Sequence, residues 1–338
     1  MLQSLVVGLG RAGAGLHLRV LAQARAAAGE LFHPGPVVAC DPAPEARGER
    51  PGVTVVESVR AAAALLPPED TVVHLCTPPV DRAALLGELG DLGFRRIIVE
   101  KPLATGLDEY AAVRRACDEH GLAPAVVTHW LDAELTHRLQ ALTMRRAFGD
   151  LRSISVTQDK PRFQRSTLDE GHPTAFDVEI PHALGVVLRL AGPAELLDAE
   201  WTDMRSEDFT LPRLGGARLV LRHRGGVLSE ISSDLTAPVR ERRISLDFER
   251  GRATGHFPLS EHDDHAQLTT TGDRVRRVFR DDALTAFVLR AYRHFLHPDP
   301  GPDGTFALHG EILRLVSAAK QHCLTALPDL HRRHQHAG

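Results

Sequence analysis

Several things are scarce in this chain, and each scarcity removes a class of function. Only four of its 338 residues are cysteine. Cys40, Cys76, Cys117 and Cys323 lie far apart and none forms a C-x-x-C pair, so neither a disulfide framework nor a thiolate zinc site is indicated. A reducing, cytoplasmic setting is the expectation. No stretch approaches the roughly 20 uninterrupted apolar residues of a membrane span. The opening MLQSLVVGLGRAG lacks a basic segment ahead of its short apolar run and reads as a first strand, not a signal peptide. Charge of one sign is also lacking: 40 Lys and Arg against 44 Asp and Glu leave a net charge of -4. Nothing in that balance calls for nucleic acid or a membrane surface as partner. Low-complexity tracts, long linkers and internal repeats are absent. What remains is a globular chain too long for one ordinary core and suited to two domains, with a small molecule as the expected ligand.

Short apolar runs alternate with helical patterns through residues 1–128. Leu5 to Val7, Val37 to Cys40, Val53 to Val56, Val72 to Cys76, Ile97 to Val99 and Ala125 to Thr128 are apolar on both faces. Between them lie helical segments such as HLRVLAQARAAAG and LDEYAAVRRACDEHG. Strands buried on both faces and separated by helices make a parallel, doubly wound sheet, a Rossmann-type α/β domain. The pattern changes after a helical stretch at about 131–147. DLRSISVTQD, ARLVLRHRGGVLSEISSDL and RRISLDFERGRATGHFPL alternate apolar and polar residues, with Gly225-Gly226 marking a turn. Such strands bury one face and read as a mostly antiparallel open sheet. The expected organisation is thus residues 1–128 as an α/β dinucleotide-binding domain and 129–338 as an α+β domain for substrate and oligomerisation.

VVGLGRAGAG sets Gly8, Gly10 and Gly13 in G-x-G-x-x-G spacing between a strand and a helix, with Arg11 and Ala12 inside the turn. Gly8 permits the tight turn, Gly10 leaves room for a pyrophosphate, and Gly13 lets helix and strand pack closely. Free N–H groups at the helix start would hold the phosphates. Asp41, after VVAC, is the acidic residue such sites place at the end of the second strand. It would accept from ribose hydroxyls and repel a 2′-phosphate, which points to NAD over NADP. Arg47 nearby leaves NADP open.

RRIIVEKPLATG carries the second signal. A buried strand ends in Glu100, Lys101 and Pro102, a charged pair that is costly there unless something needs it. In open α/β sheets ligands sit beyond the carboxyl ends of the strands, so Lys101 shares an edge with the glycine turn, as do Thr77 and Pro78 after VVHLC. Pro102 restricts the backbone and holds the lysine in place.

GLGRAG, CTPP and EKPLA, in this order and spacing, resemble the glucose-fructose oxidoreductase/inositol dehydrogenase (Gfo/Idh/MocA) family. The resemblance implies NAD or NADP as cofactor, a sugar, sugar derivative or cyclitol as substrate, and hydride transfer at a hydroxyl or keto carbon. It implies that Lys101 reaches the substrate beside the nicotinamide, and that Glu100 positions the loop and cofactor. A homodimer or homotetramer follows from the same likeness. AFDVEIPHALGVVLRLAG resembles the family segment D-x-G-x-H-x-x-D, with His182 as the proton-exchanging histidine and Gly192 as the closing glycine. Val178 and Gly185 stand where aspartates are usual, and Asp177 and Glu179 flank the first gap. On a helix a residue three before His182 shares its face and one five before does not, so Glu179 is the expected partner.

Further candidates are looser. Lys160, Arg162 and Arg165 in QDKPRFQR either hold an anionic substrate group or form a solvated basic loop. His129 and Trp130 either line the pocket or, for Trp130, belong to a core. EHDDH contains His262 and His265 but no third ligand, and no metal is expected. Two alternatives stay open: an NAD-dependent glycosidase that oxidises its substrate transiently, and a non-catalytic ligand sensor.

Overall fold

The protein is described by a computed structural model covering residues 1–168, 172–260, 263–273, 275–297 and 304–335, with the side chains of 326–335 left aside. Contacts divide the chain into two units: Met1–His129 with Leu284–Gly310, and Trp130–Ala283 with Glu311–Gly338.

The first unit holds a six-stranded parallel sheet: β1 Gln3–Val7, β2 Val37–Cys40, β3 Val53–Val56, β4 Thr71–Leu75, β5 Arg96–Val99 and β6 Ala125–Val126. The spatial order is β3-β2-β1-β4-β5-β6, the doubly wound arrangement. All six segments coincide with the apolar runs of the sequence; five are buried on both faces and so leave a continuous hydrophobic signature, while the edge strand β3 is only partly buried. Alternate residues of β1 feed two cores. Val6 packs with α1 (Leu18–Ala27) through Val20, Leu21 and Ala24. Leu5 and Val7 pack on the other face, with residues of α2 (Val59–Ala63), α3 (Arg82–Asp91) and α4 (Leu107–His120).

The first core is completed by Phe287, Val288, Ala291, Tyr292 and Phe295, from a helix more than 150 residues downstream of β6. The segment Leu284–Gly310 therefore belongs with the parallel sheet, whereas the sequence reading placed everything after residue 128 in one second domain. Amphipathic periodicity marks such a helix but carries no record of which layer receives its apolar face.

In the second unit, α5 (Glu134–Met144), α6 (Phe163–Leu168) and α7 (Ile180–Ala191) accompany an eight-stranded sheet. Its strands are β7 Leu151–Asp159, β8 Ala194–Arg205, β9 Thr210–His223, β10 Leu228–Asp234, β11 Glu241–Phe248, β12 Gly251–His256, β13 His265–Thr270 and β14 Arg277–Arg280. They lie in the order β14-β13-β12-β11-β7-β10-β9-β8, antiparallel except where β10 runs parallel to β7. Helix α7 rests on β7 and β10, and α5 on β12 and β13. The returning helix is α8 (Ala283–Leu296), and the chain closes with α9 (Thr305–Gln335). Beyond Gly310, α9 runs along β8: Arg314 donates to the Ala194 carbonyl at 2.8 Å and Cys323 to that of Ala199 at 3.3 Å.

Candidate active site

Because the first sheet is parallel, the carboxyl ends of β1, β2, β4 and β5 share one edge, and each presents a residue singled out by sequence. After β1 the chain turns at Gly8, whose φ of +91° favours glycine. A Cβ on Gly13 would stand 1.8 Å from the Gly8 carbonyl oxygen, so only glycine fits there, while one on Gly10 would project into open space. The helix entered here begins as a π-helical stretch, Arg11–His17, with the Leu18 N–H bonded to the Gly13 carbonyl. That wider winding is a departure from the α-helix expected, and it places His17 inside the unit, 1% exposed.

Asp41 braces this turn. One carboxylate oxygen accepts from the Leu9 N–H at 2.7 Å and the other from the Ala43 N–H at 2.9 Å. A local holding role thus accompanies any contact to a ribose, for which each oxygen keeps a second lone pair.

Thr77 lies against the glycine turn, and its Oγ1 is buried with no hydrogen-bond partner. Pro78 and Pro79 lead to Asp81, in the left-handed region at φ 56°, and then to Arg82, the first residue of α3. Arg82 is 2% exposed and was not singled out by sequence. Its guanidinium donates to the carbonyls of Thr77 at 2.5 Å, Glu100 at 2.5 Å and Pro102 at 2.6 Å, joining the CTPP and EKP turns. Burial is the main force on it and lowers it to about 10.

Lys101 follows β5, and its peptide bond to Pro102 is cis. Glu100 accepts from the Lys101 backbone N–H at 3.0 Å and from His17 Nε2 at 2.9 Å. Burial alone would raise the Glu100 carboxyl, yet the hydrogen bond from His17, with Lys101 and His129, holds it below its ordinary value. His129 is thereby brought near Glu100 within this unit. His309, near the start of α9, is 4% exposed and its Nε2 has no hydrogen-bond partner. Burial, then the nearby Lys101 ammonium, pushes its imidazole down to about 3.

In the second unit Asp177 closes a capping box: its Oδ2 accepts from the Thr174 hydroxyl at 2.7 Å, while Lys320 donates to Oδ1 at 2.6 Å. The turn Ala175–Asp177 is 3-10, and α7 starts only at Ile180 with Glu179 as its N-cap, so Asp177 lies outside the helix expected of it. Glu179 is 6% exposed and meets Lys160 at 2.6 Å and Arg242 at 3.9 Å. His182 stacks on Trp130 with ring centroids 5.6 Å apart, and Trp130 stacks on Phe257 at 4.2 Å. Arg242 lies over the Trp130 ring. Trp130, Lys160, Glu179 and His182 are therefore gathered into one cluster, joined by Arg242 and Phe257, which sequence did not mark.

The basic segment after β7 is not the solvated loop weighed above. Arg162 is 4% exposed, and Lys160 has its ammonium lowered by burial against the pull of Glu179. His265 pairs with Asp263, and His262 lies outside the described residues. Among the described residues no group of three His, Cys, Asp or Glu side chains could hold a metal ion, and no helix is long and apolar enough to cross a membrane.

No family model matches this chain, and no curated protein does. Solved structures do match, over nearly the whole length. A protein assigned as an NADPH-dependent oxidoreductase from Desulfitobacterium hafniense superposes with a TM-score of 0.79 at 14% identity, covering 96% of each chain. KijD10, a 3-ketoreductase from Actinomadura kijaniata solved with NADP and TDP-benzene, gives 0.75 at 16% identity, covering 95% of this chain and 98% of that one. A levoglucosan dehydrogenase in complex with NADH and levoglucosan gives 0.73 at 18%, covering 96% and 97%. At these identities the likeness establishes a shared fold: a Rossmann-like parallel sheet followed by a mostly antiparallel one.

Proposed function

We propose that this chain is an NAD(P)-dependent oxidoreductase of the Gfo/Idh/MocA type, acting on a hydroxyl or keto carbon of a sugar, sugar derivative or cyclitol. The observation that carries this reading is the construction around Lys101. Its turn is tied to the Thr77 turn through Arg82 and backed by the Glu100 carboxylate, on the sheet edge that also carries the glycine loop.

The residues present fit a dinucleotide. The glycine loop leaves space at Gly10, and Thr77 Oγ1 and His309 Nε2 are buried polar atoms that a ligand bringing its own donors and acceptors would satisfy. Gly8, Gly10, Arg11, Ala12 and Gly13 would hold the pyrophosphate, Asp41 the ribose, and Thr77, Pro78, Glu100 and Lys101 the nicotinamide end. When bound, the cofactor accepts or supplies the hydride. Lys101 donates a hydrogen bond to the substrate oxygen and stabilises negative charge developing there. His182 exchanges the hydroxyl proton, a task suited to an imidazole near neutral pH. Trp130 stacks on His182 and limits where its ring can lie. Glu179 and Lys160, paired in the same unit, bind substrate hydroxyls, with Arg162, Asp177 and His129 as further contacts. A homo-oligomer working in the cytoplasm completes the proposal.

Two of the solved neighbours favour sugar chemistry: one is a ketoreductase solved with a TDP compound and another holds levoglucosan. The test is a thermal-shift screen of NAD, NADP, sugars, sugar phosphates and cyclitols, followed by nicotinamide absorbance with each hit. Net absorbance change with a sugar or cyclitol supports the oxidoreductase. Product release without net change would make it a glycosidase, and binding without turnover a sensor.

A further inference from the structure

A continuous chain of hydrogen bonds runs through the first unit to the Lys101 turn. Ser4 Oγ meets Tyr292 Oη at 2.7 Å, and Tyr292 Oη meets His74 Nε2 at 3.0 Å. His74 Nδ1 meets His17 Nδ1 at 2.8 Å, and His17 Nε2 meets Glu100 Oε1 at 2.9 Å. Glu100 Oε2 then accepts from the Lys101 backbone N–H. Ser4, His17, His74 and Tyr292 are each at most 1% exposed, so water does not substitute for any link.

Proton counting gives this chain a direction. A carboxylate only accepts, so His17 carries a proton on Nε2. Burial, then the neighbouring His17, keeps His74 well below the usual imidazole range, and it is neutral. The assigned direction leaves His17 Nδ1 as the acceptor in the ring-to-ring bond, so that His74 Nδ1–H donates. The bare Nε2 of His74 then needs a donor, supplied by the Tyr292 hydroxyl, whose oxygen accepts in turn from Ser4. Every link holds one proton, and all four point toward Glu100. The opposite polarity exists only with an additional proton on His17.

We infer that His74 and Tyr292 are positioning residues for Lys101, acting through His17 to hold the Glu100 carboxylate in one place against the lysine backbone. Tyr292 comes from α8, so the returning segment reaches the site through this chain as well as through its apolar packing. The inference rests on the reading of Lys101 as the substrate-facing group. The charged and titratable groups acting on Glu100 are His17, Lys101 and His129, with Arg82, Cys76 and His309 close enough to feel its charge.

The first test needs neither substrate nor variant. Long-range nitrogen–proton NMR of the full chain labelled in histidine should show the His74 proton on Nδ1 and the His17 proton on Nε2, as the two bonds require. His74 with its proton on Nε2, or either ring doubly protonated at neutral pH, would overturn the assigned direction. The second test is Tyr292→Phe, which keeps the ring against Phe32 and removes one donor. It should lower kcat about tenfold while the cofactor dissociation constant and substrate KM stay within about twofold, the behaviour of an orienting contact. Unchanged kcat would overturn the positioning role. Failure to find any turnover would sink the oxidoreductase reading while leaving the tautomer result to decide the chain.

Discussion

Replacing Arg82 by methionine separates a structural staple from an incidental buried charge. The guanidinium makes three hydrogen bonds, to Thr77, Glu100 and Pro102. Hydrogen bonds from a charged donor contribute about 2 kcal/mol each, so losing them costs about 6 kcal/mol. Against this stands relief from burying a cation. Its depression to about 10 corresponds to roughly 3 kcal/mol at ~1.4 kcal/mol per decade. The difference is a net loss of about 3 kcal/mol for Arg82→Met, read as the free energy of denaturant unfolding. Arg82→Lys should recover less than half of it, since one ammonium cannot span three carbonyls as a planar fork does. The CTPP and EKP turns would lose their common anchor, and NAD(P) should bind about tenfold more weakly to the methionine variant. A stability loss under about 1 kcal/mol with unchanged nicotinamide binding would refute the staple.

Other expectations follow from the same geometry. Lys101→Met should leave folding and nicotinamide binding intact but cut turnover at least about 100-fold, about 2.7 kcal/mol of transition-state stabilisation; near-normal turnover would make Lys101 structural. NAD should bind at least about tenfold more tightly than NADP, and Asp41→Ala should narrow that gap while weakening both, because the Leu9 N–H loses its acceptor; equal dissociation constants in the parent protein would remove Asp41 from cofactor choice. His74 and His309 are held neutral, with folded values depressed below the free-imidazole 6.5 and that of His309 down to about 3. Their contribution is whole above about pH 6.5 and is lost as pH falls, by up to about 1.4 kcal/mol per unit for each ring. Unfolding free energies equal at pH 7 and pH 5 would contradict this. Glu179→Gln should lower kcat more than Asp177→Asn, since Glu179 adjoins Lys160 and Arg242 beside the Trp130–His182 stack; the reverse order would move the working carboxylate to Asp177.

The parallel sheet was legible because its strands are apolar on both faces, and the edge residues followed from strand polarity. The strand Ala194–Arg205 was not, because AELLDAEWTDMR spreads four acidic residues over twelve and buries only three of its side chains deeply. The parallel pairing of β10 with β7 leaves no local mark, since both strands read as ordinary alternating segments. At the site, Lys101 stood out as a charge at the end of a buried strand. His74 carried a comparable signal, a polar ring within the wholly buried TVVHL, which demands a partner. The partner's identity was out of reach, because Tyr292 lies 218 positions away. Arg82 opens an ordinary helix after two prolines, and nothing in its neighbours distinguishes it from a surface arginine.

The late segment Leu284–Gly310 has a consequence for synthesis on the ribosome. A nascent chain that has emerged only to residue 129 carries every strand of the parallel sheet, yet it lacks Phe287, Val288, Tyr292 and Phe295, which cover one face. Tyr292 lies with its ring centroid 4.4 Å from that of Phe32, and Ser4 and His74 await its hydroxyl. The unit whose translation starts first is therefore incomplete until most of the other has been made. Stop codons placed just after residue 129 should yield aggregation-prone fragments, whereas supplying 284–310 behind a short linker should restore a foldable piece.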